Sequence, residues 1–135
     1  MPHLVILYTP NLEPDADIGR LCRVLADSML TVKDEQGRQV FPTGGVRVLA
    51  YPAAHFAVAD GAGDYAFAYL NLRMGRGRSD AVKQQAGDVL GSVARRHFEP
   101  LMGRRPTGVT LQIDEGPEVF DLKHSTLHPL FTPKT

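Results

Sequence analysis

The sequence predicts an α+β fold in which two strand–helix–strand units share one β-sheet. Four segments rich in β-branched, aromatic and aliphatic residues are predicted to be strands. Two longer segments with apolar residues at helical spacing are predicted to be helices. The strands cover residues 4–8, 46–51, 65–74 and 109–114, and the helices cover residues 14–30 and 80–100. Right-handed crossovers in both units would place the two helices on one face of the sheet.

The composition is that of an ordinary globular protein. Of its 135 residues, 43% are hydrophobic and 22% are charged, so we treat residues 1–135 as one domain with a substantial core. Lys plus Arg equals Asp plus Glu at 15 each, which points to neither a nucleic-acid partner nor a membrane surface. The sequence has one cysteine, no basic and apolar leader, and no apolar run of about 18 residues. We therefore expect a cytoplasmic protein.

The first unit combines clear elements with ambiguous loops. Pro14 suits the first turn of a helix, and the acidic residues around it suit the positive end of the helix dipole. Cys22 lies on the apolar stripe of this helix and is predicted to be buried and unreactive. Residues 33–45 read as a loop or small hairpin, and residues 56–59 as either a short strand or part of a loop.

The second unit contains the longest predicted strand, in which alternation places Tyr65, Phe67 and Tyr69 on one face. Ser79 is predicted to cap the helix that follows. The tail, residues 115–135, has little periodicity and is predicted to be an arm for packing or subunit contact. Because no third helix is available, the second face of the sheet stays uncovered, which predicts an oligomer.

Pro2 is the most informative position for chemistry. Its small side chain is typical of second residues after which the initiator methionine is removed, leaving a free secondary amine. An α-amino group titrates at about 7.7–8.0 in model peptides, and burial lowers that pKa. Pro2 is therefore a candidate general base, held by the buried strand that follows it. The alternative is an ordinary exposed terminus, because sequences that begin Met-Pro are common.

Two arginines occupy positions where a cation is unexpected. Arg47 interrupts an apolar strand, and Arg78 directly precedes a helix start, where the dipole disfavours positive charge. The backbone N–H groups of that helix start, together with Arg76 and Arg78, suit a bound carboxylate. Solvated arginines are the alternative interpretation.

Other catalytic and metal patterns are incomplete. His124 and His128 are four residues apart, but no further ligand pattern completes a zinc site. The sequence has no Gly-x-Ser-x-Gly elbow, and the turn at residues 75–79 lacks the Gly-Lys-Ser/Thr ending of a phosphate loop. The sequence therefore predicts no metal site.

Several segments, taken together, carry a family resemblance. They are Pro2-His3, Gly45-Val46-Arg47, Asp64-Tyr65-Ala66-Phe67, Gly75-Arg76-Gly77-Arg78-Ser79, Gln84-Gln85-Ala86-Gly87 and His128-Pro129-Leu130-Phe131. With these segments the chain resembles the 5-carboxymethyl-2-hydroxymuconate isomerases of the tautomerase superfamily, whose members carry a catalytic N-terminal proline. The similarity runs nearly end to end, and residues 64–87 are its most specific part.

The resemblance implies a tautomerase-like fold of two βαβ units assembled as a homotrimer, with the sheets facing the threefold axis. It implies an isomerase of aromatic (homoprotocatechuate) degradation that acts on a small polycarboxylate without metal or organic cofactor. The reaction would convert a 2-hydroxy-dienoate into a 2-oxo-enoate. By position, Pro2 matches the family's catalytic base, and Arg47 and Arg78 match its substrate-binding arginines.

Two departures from the family pattern affect the expected substrate. The loop before Arg47 is longer, and Leu49 stands where relatives often carry a basic residue. Three alternatives stay open: a tautomerase of the 2-hydroxymuconate or phenylpyruvate type, a catalytically silent trimeric binding protein, and a module that binds small acids through Arg76 and Arg78. Retention of Met1 would favour the silent protein.

Overall fold

The computed structural model describes residues 2–131, so Met1 and residues 132–135 lie outside the described part of the chain. All four predicted strands and both predicted helices are present. The strands are β1 (His3–Tyr8), β2 (Arg47–Pro52), β3 (Ala66–Met74) and β4 (Thr107–Glu115), and the helices are α1 (Ile18–Met29) and α2 (Asp80–Met102). Three short 3-10 turns cover Pro10–Leu12, Thr43–Gly45 and His128–Phe131.

The four strands form one sheet in the order β2-β1-β3-β4. The outer pairs, β1 with β2 and β3 with β4, are parallel, whereas β1 and β3 in the middle are antiparallel. Each parallel pair is joined through one helix, because parallel neighbours need a crossover connection. The structure therefore confirms two βαβ units in one sheet.

Both helices pack on the same face of the sheet. Alternate residues of β1 and β3 point toward them and are buried together with the apolar stripes of the helices in one cluster. Residues of this core that are fully buried include Leu4, Ile6, Leu21, Leu25, Ala68, Leu70, Leu72 and Leu90. On the opposite face, Leu7, Leu49 and Tyr51 are each about half exposed, at 49%, 47% and 51%. The predicted uncovered face is confirmed, and we call it the open face.

Helix α1 begins later than predicted. A start at residue 14 is wrong, because Asp17 has a φ of 45° and such a left-handed residue cannot belong to an α-helix. The Asp17 carboxylate instead accepts a hydrogen bond from the Arg20 backbone N–H at 3.3 Å and caps the helix. The acidic residues before it lie in a turn that precedes the first helical residue.

The two ambiguous loops are also settled. Residues 33–45 contain a single bridge between Lys33 and Gln39, around a turn at Gly37 with φ of 77°, so they form a small hairpin followed by a 3-10 turn. Residues 56–59 form no strand. In the second unit, the Ser79 hydroxyl accepts a hydrogen bond from the Val82 backbone N–H at 3.2 Å, which confirms the predicted cap of α2.

The tail leaves the sheet after β4. The Gly116 backbone N–H donates to the Met74 carbonyl at 2.8 Å, and the chain then runs without regular structure to the last 3-10 turn. That turn contacts the turn at residues 43–45. Among the described residues, no helix is both long and apolar enough to cross a membrane.

Candidate active site

Pro2 lies near the middle of one end of the sheet, the end at which β1 and β2 begin and β3 stops. In the sheet register His3 is opposite Arg47, at the start of β2, and opposite Arg73, near the end of β3. Pro2 directly precedes His3 and is buried. The parallel pairing of β1 and β2 therefore brings Pro2 and Arg47, which are far apart in sequence, to neighbouring strand starts. We call this end of the sheet the Pro2 edge; the term refers to the ends of the strands and not to an outer strand.

The side chain of Arg47 is half-buried and held close to its own strand start. Its Nη1 donates to the Gly45 carbonyl at 3.1 Å. Arg47 and His3 line a cavity of about 430 Å³, and residues 121–127 of the tail form its other wall. A guanidinium in such a cavity suits a bound carboxylate, because both can form paired hydrogen bonds.

His3 was missed by the sequence analysis, although it faces the same cavity as Arg47. Burial lowers the pKa of His3 below its usual value, and the nearby charges of Arg47 and Arg73 lower that pKa further. The imidazole is therefore neutral at neutral pH and offers a hydrogen bond rather than a charge. Its position opposite Arg47 depends on the strand register, which the spacing of apolar residues alone does not give.

Arg78 lies in the turn that connects β3 to α2. Its Nη1 donates to the Gly75 carbonyl at 3.1 Å, and its guanidinium carbon lies 5.2 Å from the centre of the Phe41 ring, a cation–π distance. Phe41 is fully buried, and burial lowers the pKa of Arg78, which stays charged at any physiological pH. This cation is therefore fixed by contacts and is not a freely solvated side chain.

Arg76 and Arg78 share a second cavity of about 500 Å³ with residues 34–36 and Ser79. The Ser79 hydroxyl donates to the Glu35 carboxylate at 2.6 Å, and this bond lowers the pKa of Glu35. Asp34 and Glu35 therefore place two carboxylates in the cavity with the two arginines, so the four charges balance. This arrangement disfavours the alternative in which Arg76 and Arg78 alone form an acid-binding site.

In the sheet topology, Pro2 is related more directly to Arg47 than to Arg78. Arg47 starts the neighbouring strand, whereas Arg78 follows the end of β3, on the other side of β1. Within one chain the two arginines line different cavities. Both still belong to the Pro2 edge, where β1 and β2 begin and β3 ends. The topology therefore places Pro2, Arg47 and the turn that carries Arg78 at the same end of the sheet.

Another cavity, of about 520 Å³, lies between the start of α1 and the end of α2. Its carboxylates serve the fold, since Asp15 pairs with Arg104 at 3.4 Å and Asp17 caps α1, and its remaining cations are Arg20 and Arg96. Its walls are helical residues and the turn before α1, so it is remote from the strand starts that hold Pro2 and Arg47. We therefore place the candidate site at the Pro2 edge.

The described residues contain no group of three or more His, Cys, Asp and Glu side chains that could hold a metal ion. Cys22 is half-buried and packs against the core, and burial raises the pKa of its thiol. The thiol therefore stays protonated at neutral pH, which favours the prediction that it is unreactive.

A family model described as 5-carboxymethyl-2-hydroxymuconate isomerase matches residues 2–131. The chain belongs to this family. A 5-carboxymethyl-2-hydroxymuconate Delta-isomerase of Escherichia coli is 29% identical to the chain over 131 residues, which is 97% of this chain and 99% of that protein. The predicted family and the predicted isomerase activity are therefore confirmed.

Solved structures of 5-carboxymethyl-2-hydroxymuconate isomerases have the same fold as this chain. A crystal structure of one delta-isomerase superposes with a TM-score of 0.95 at 58% identity, covering 100% of this chain and 95% of that one. An isomerase from Deinococcus radiodurans R1 gives a TM-score of 0.87 at 33% identity, covering 98% and 95% of the two chains.

A more distant structure, a fused 4-OT symmetric trimer, shares the fold at a TM-score of 0.60 and 22% identity, covering 96% of this chain and 97% of that one. The tautomerase-like fold is thus confirmed for this family member.

Proposed function

We propose that this family member isomerises 5-carboxymethyl-2-hydroxymuconate through the amine of Pro2, once Met1 has been removed. The observation that supports this most directly is the burial of Pro2 at the strand start beside Arg47. A buried α-amine next to cations is a weaker base than a free one, so its neutral form is available at neutral pH.

In the proposed reaction the Pro2 nitrogen takes the proton of the substrate's 2-hydroxyl. The O–H electron pair forms the C2=O bond, the C2=C3 double bond moves to C3–C4, and the C4=C5 electron pair takes a proton at C5. The protonated Pro2 amine returns that proton, so one group acts as base and then as acid. The reaction moves one proton and no net electrons, so no redox cofactor is part of this proposal.

Arg47 and Arg78 are proposed to bind carboxylates of the substrate. Arg47 lies opposite His3 in the strand register, and Arg78 is fixed by Phe41 on the other side of the Pro2 edge. Their charges would orient the substrate and stabilise the negative charge that develops on its oxygen during proton transfer. They would also disfavour protonation of the Pro2 amine before substrate binds.

We further propose that three chains assemble with their open faces toward one axis. The open face has half-exposed Leu7, Leu49 and Tyr51 side by side on neighbouring strands, and such a patch is stable in water when a partner covers it. A second chain would then lie close to the Pro2 edge, because Arg47 is on the open face.

Cytoplasmic location and the role in aromatic degradation belong to this same proposal.

The amine is tested by preparing the chain with and without Met1, each verified by intact mass. We expect the chain that begins at Pro2 to convert the dienol, and the fall in dienol absorbance measures this conversion. The chain that retains Met1 has an amide at this nitrogen, and we expect a kcat at least about 100-fold lower, the usual scale of general acid–base catalysis.

The Pro2→Ala variant without Met1 is the matched control, because it keeps a primary amine in the same place. We expect partial activity from it. Equal kcat values for the chains with and without Met1 would refute the proposed role of Pro2. A panel with 2-hydroxymuconate and enol phenylpyruvate separates the related tautomerase activities, and no turnover of any of them would favour a binding protein.

A further inference from the structure

The tail crosses the Pro2 edge. At its beginning, the Gly116 backbone N–H donates to the carbonyl of Met74, the last residue of β3, at 2.8 Å. At its other end, the His128 backbone lies against Gly44, just before β2: a Cβ on Gly44 would come within 2.8 Å of the His128 Cα. Because β1 lies between β2 and β3 in the sheet, residues 116–128 pass the start of β1.

The middle of the tail faces Arg47. Residues 121–127 form one wall of the cavity of about 430 Å³ whose other wall is His3 and Arg47. Of the tail side chains there, Lys123 is the cation, and its ammonium group donates a hydrogen bond to the Asp121 carboxylate. The Lys123 side chain is 49% exposed, so a ligand in the cavity can reach it. An ammonium group has three donors, and this bond uses one of them.

The proposed substrate has one more carboxylate than there are arginines, Arg47 and Arg78, at the family's substrate-binding positions. Its muconate chain has two carboxylates, and the carboxymethyl branch adds a third. Arg47 begins β2 and Arg78 follows β3, the strands on the two sides of β1, an arrangement that suits the two ends of a linear chain. The third carboxylate branches away from that line, and a further cation of the cavity that Arg47 lines is placed to bind it.

We propose that Lys123 binds the carboxylate of the carboxymethyl branch and thereby selects the branched substrate over 2-hydroxymuconate. This inference rests on the proposed function. Asp121 positions the ammonium group through its hydrogen bond, and Arg47 lines the same cavity, so two cations there outnumber the one carboxylate of Asp121. The tail thus acts as a strap that completes substrate binding without contributing to the proton transfer itself.

The test compares the Lys123→Met variant with the wild type on two dienols, 5-carboxymethyl-2-hydroxymuconate and 2-hydroxymuconate. We expect the KM for the branched dienol to rise about tenfold, the scale of one charge-assisted hydrogen bond at a partly exposed site. The kcat for the branched dienol should stay unchanged, and so should the kcat and the KM for 2-hydroxymuconate. Lys123→Arg should keep most of the wild-type KM, because it keeps the charge.

Lys33→Met is the matched control, since it removes the same charge from an exposed residue of the small hairpin. It should leave the kinetics on both dienols unchanged. If the wild type converts both dienols and Lys123→Met changes neither KM, or changes both equally, the assignment of Lys123 is wrong while the proposed function stands. A wild type that converts neither dienol would refute the proposed function, and this inference with it.

Discussion

At the scale of single residues, Tyr8 shows how burial changes a titratable group. Tyr8 is 5% exposed, and its hydroxyl donates to the Glu13 carboxylate at 2.6 Å. Burial raises the pKa of Tyr8 to about 12, and the hydrogen bond and charge of Glu13 act in the same direction. The folded protein therefore holds a proton that the unfolded chain loses at a lower pH.

This difference predicts a loss of stability at high pH. Because the folded pKa is raised above the unfolded value of about 10, the contribution of Tyr8 is complete below pH 10 and is lost as the pH rises through about 12. We expect the free energy of unfolding to fall by roughly 1 kcal/mol more between pH 8 and pH 11 in the wild type than in Tyr8→Phe. Urea denaturation at both pH values measures this, and equal losses in the two proteins would contradict it.

Single residues also show what the sequence could predict of the site. Arg47 was recognisable because it is a cation in an apolar strand, and Arg78 because it precedes a capped helix. Pro2 was recognisable from its place in the sequence. Lys123, which we propose from the structure, was not, because it lies in a segment without periodicity, and the cavity that it shares with Arg47 is formed by residues far apart in sequence.

At the scale of elements, regular spacing predicted every strand and helix, whereas local geometry decided where they end. The apolar stripe of α1 is real, but Asp17 ends the preceding turn in a left-handed conformation that the spacing of Leu21 and Leu25 cannot reveal. The path of the tail is a similar case. It depends on Gly44, where the absence of a side chain lets the His128 backbone approach.

Gly44→Ala is therefore expected to displace the tail. The new Cβ would lie 2.8 Å from the His128 Cα and 3.0 Å from its N, and backbone atoms cannot rotate away as a side chain can. We expect a loss of about 1–3 kcal/mol in the free energy of unfolding, the usual range for an overpacked site. Limited proteolysis should also cut residues 116–131 faster than in the wild type.

The control is Gly19→Ala in α1, where an added Cβ meets no atom within 4 Å. We expect this variant to be neutral or more stable by roughly 0.5–1 kcal/mol, because alanine favours helix more than glycine does. If Gly44→Ala unfolds and is cleaved like Gly19→Ala, the tail is not held at this contact.

At the scale of the whole molecule, two helices and one sheet leave one sheet face without a cover. The sequence predicted this from the number of elements alone, because both crossovers must have the same hand. The proposed trimer is the partner for that face. The sequence could not predict which side chains meet there, since that depends on the strand register.

The proposed trimer predicts that a charge on the open face separates the chains. We expect the wild type to have a mass in solution of three times 14.8 kDa by light scattering. Tyr51→Glu should shift it toward a single chain, because Tyr51 is 51% exposed in the isolated chain and would be buried in the assembly. Val24→Glu, at an exposed position of α1 on the other side, should keep the wild-type mass.

The antiparallel pairing of β1 with β3 makes the two halves of the chain approximate copies that run in opposite directions. The second unit begins differently from the first, because Tyr65, the residue before β3, lies inside the chain. There the polypeptide continues in both directions, and Asp64 is tied to Arg105 at 3.0 Å and to Asn11 at 3.0 Å. The start of the second unit is therefore held by side-chain contacts with the loops around it, whereas the proposed reactive centre lies at the start of the first.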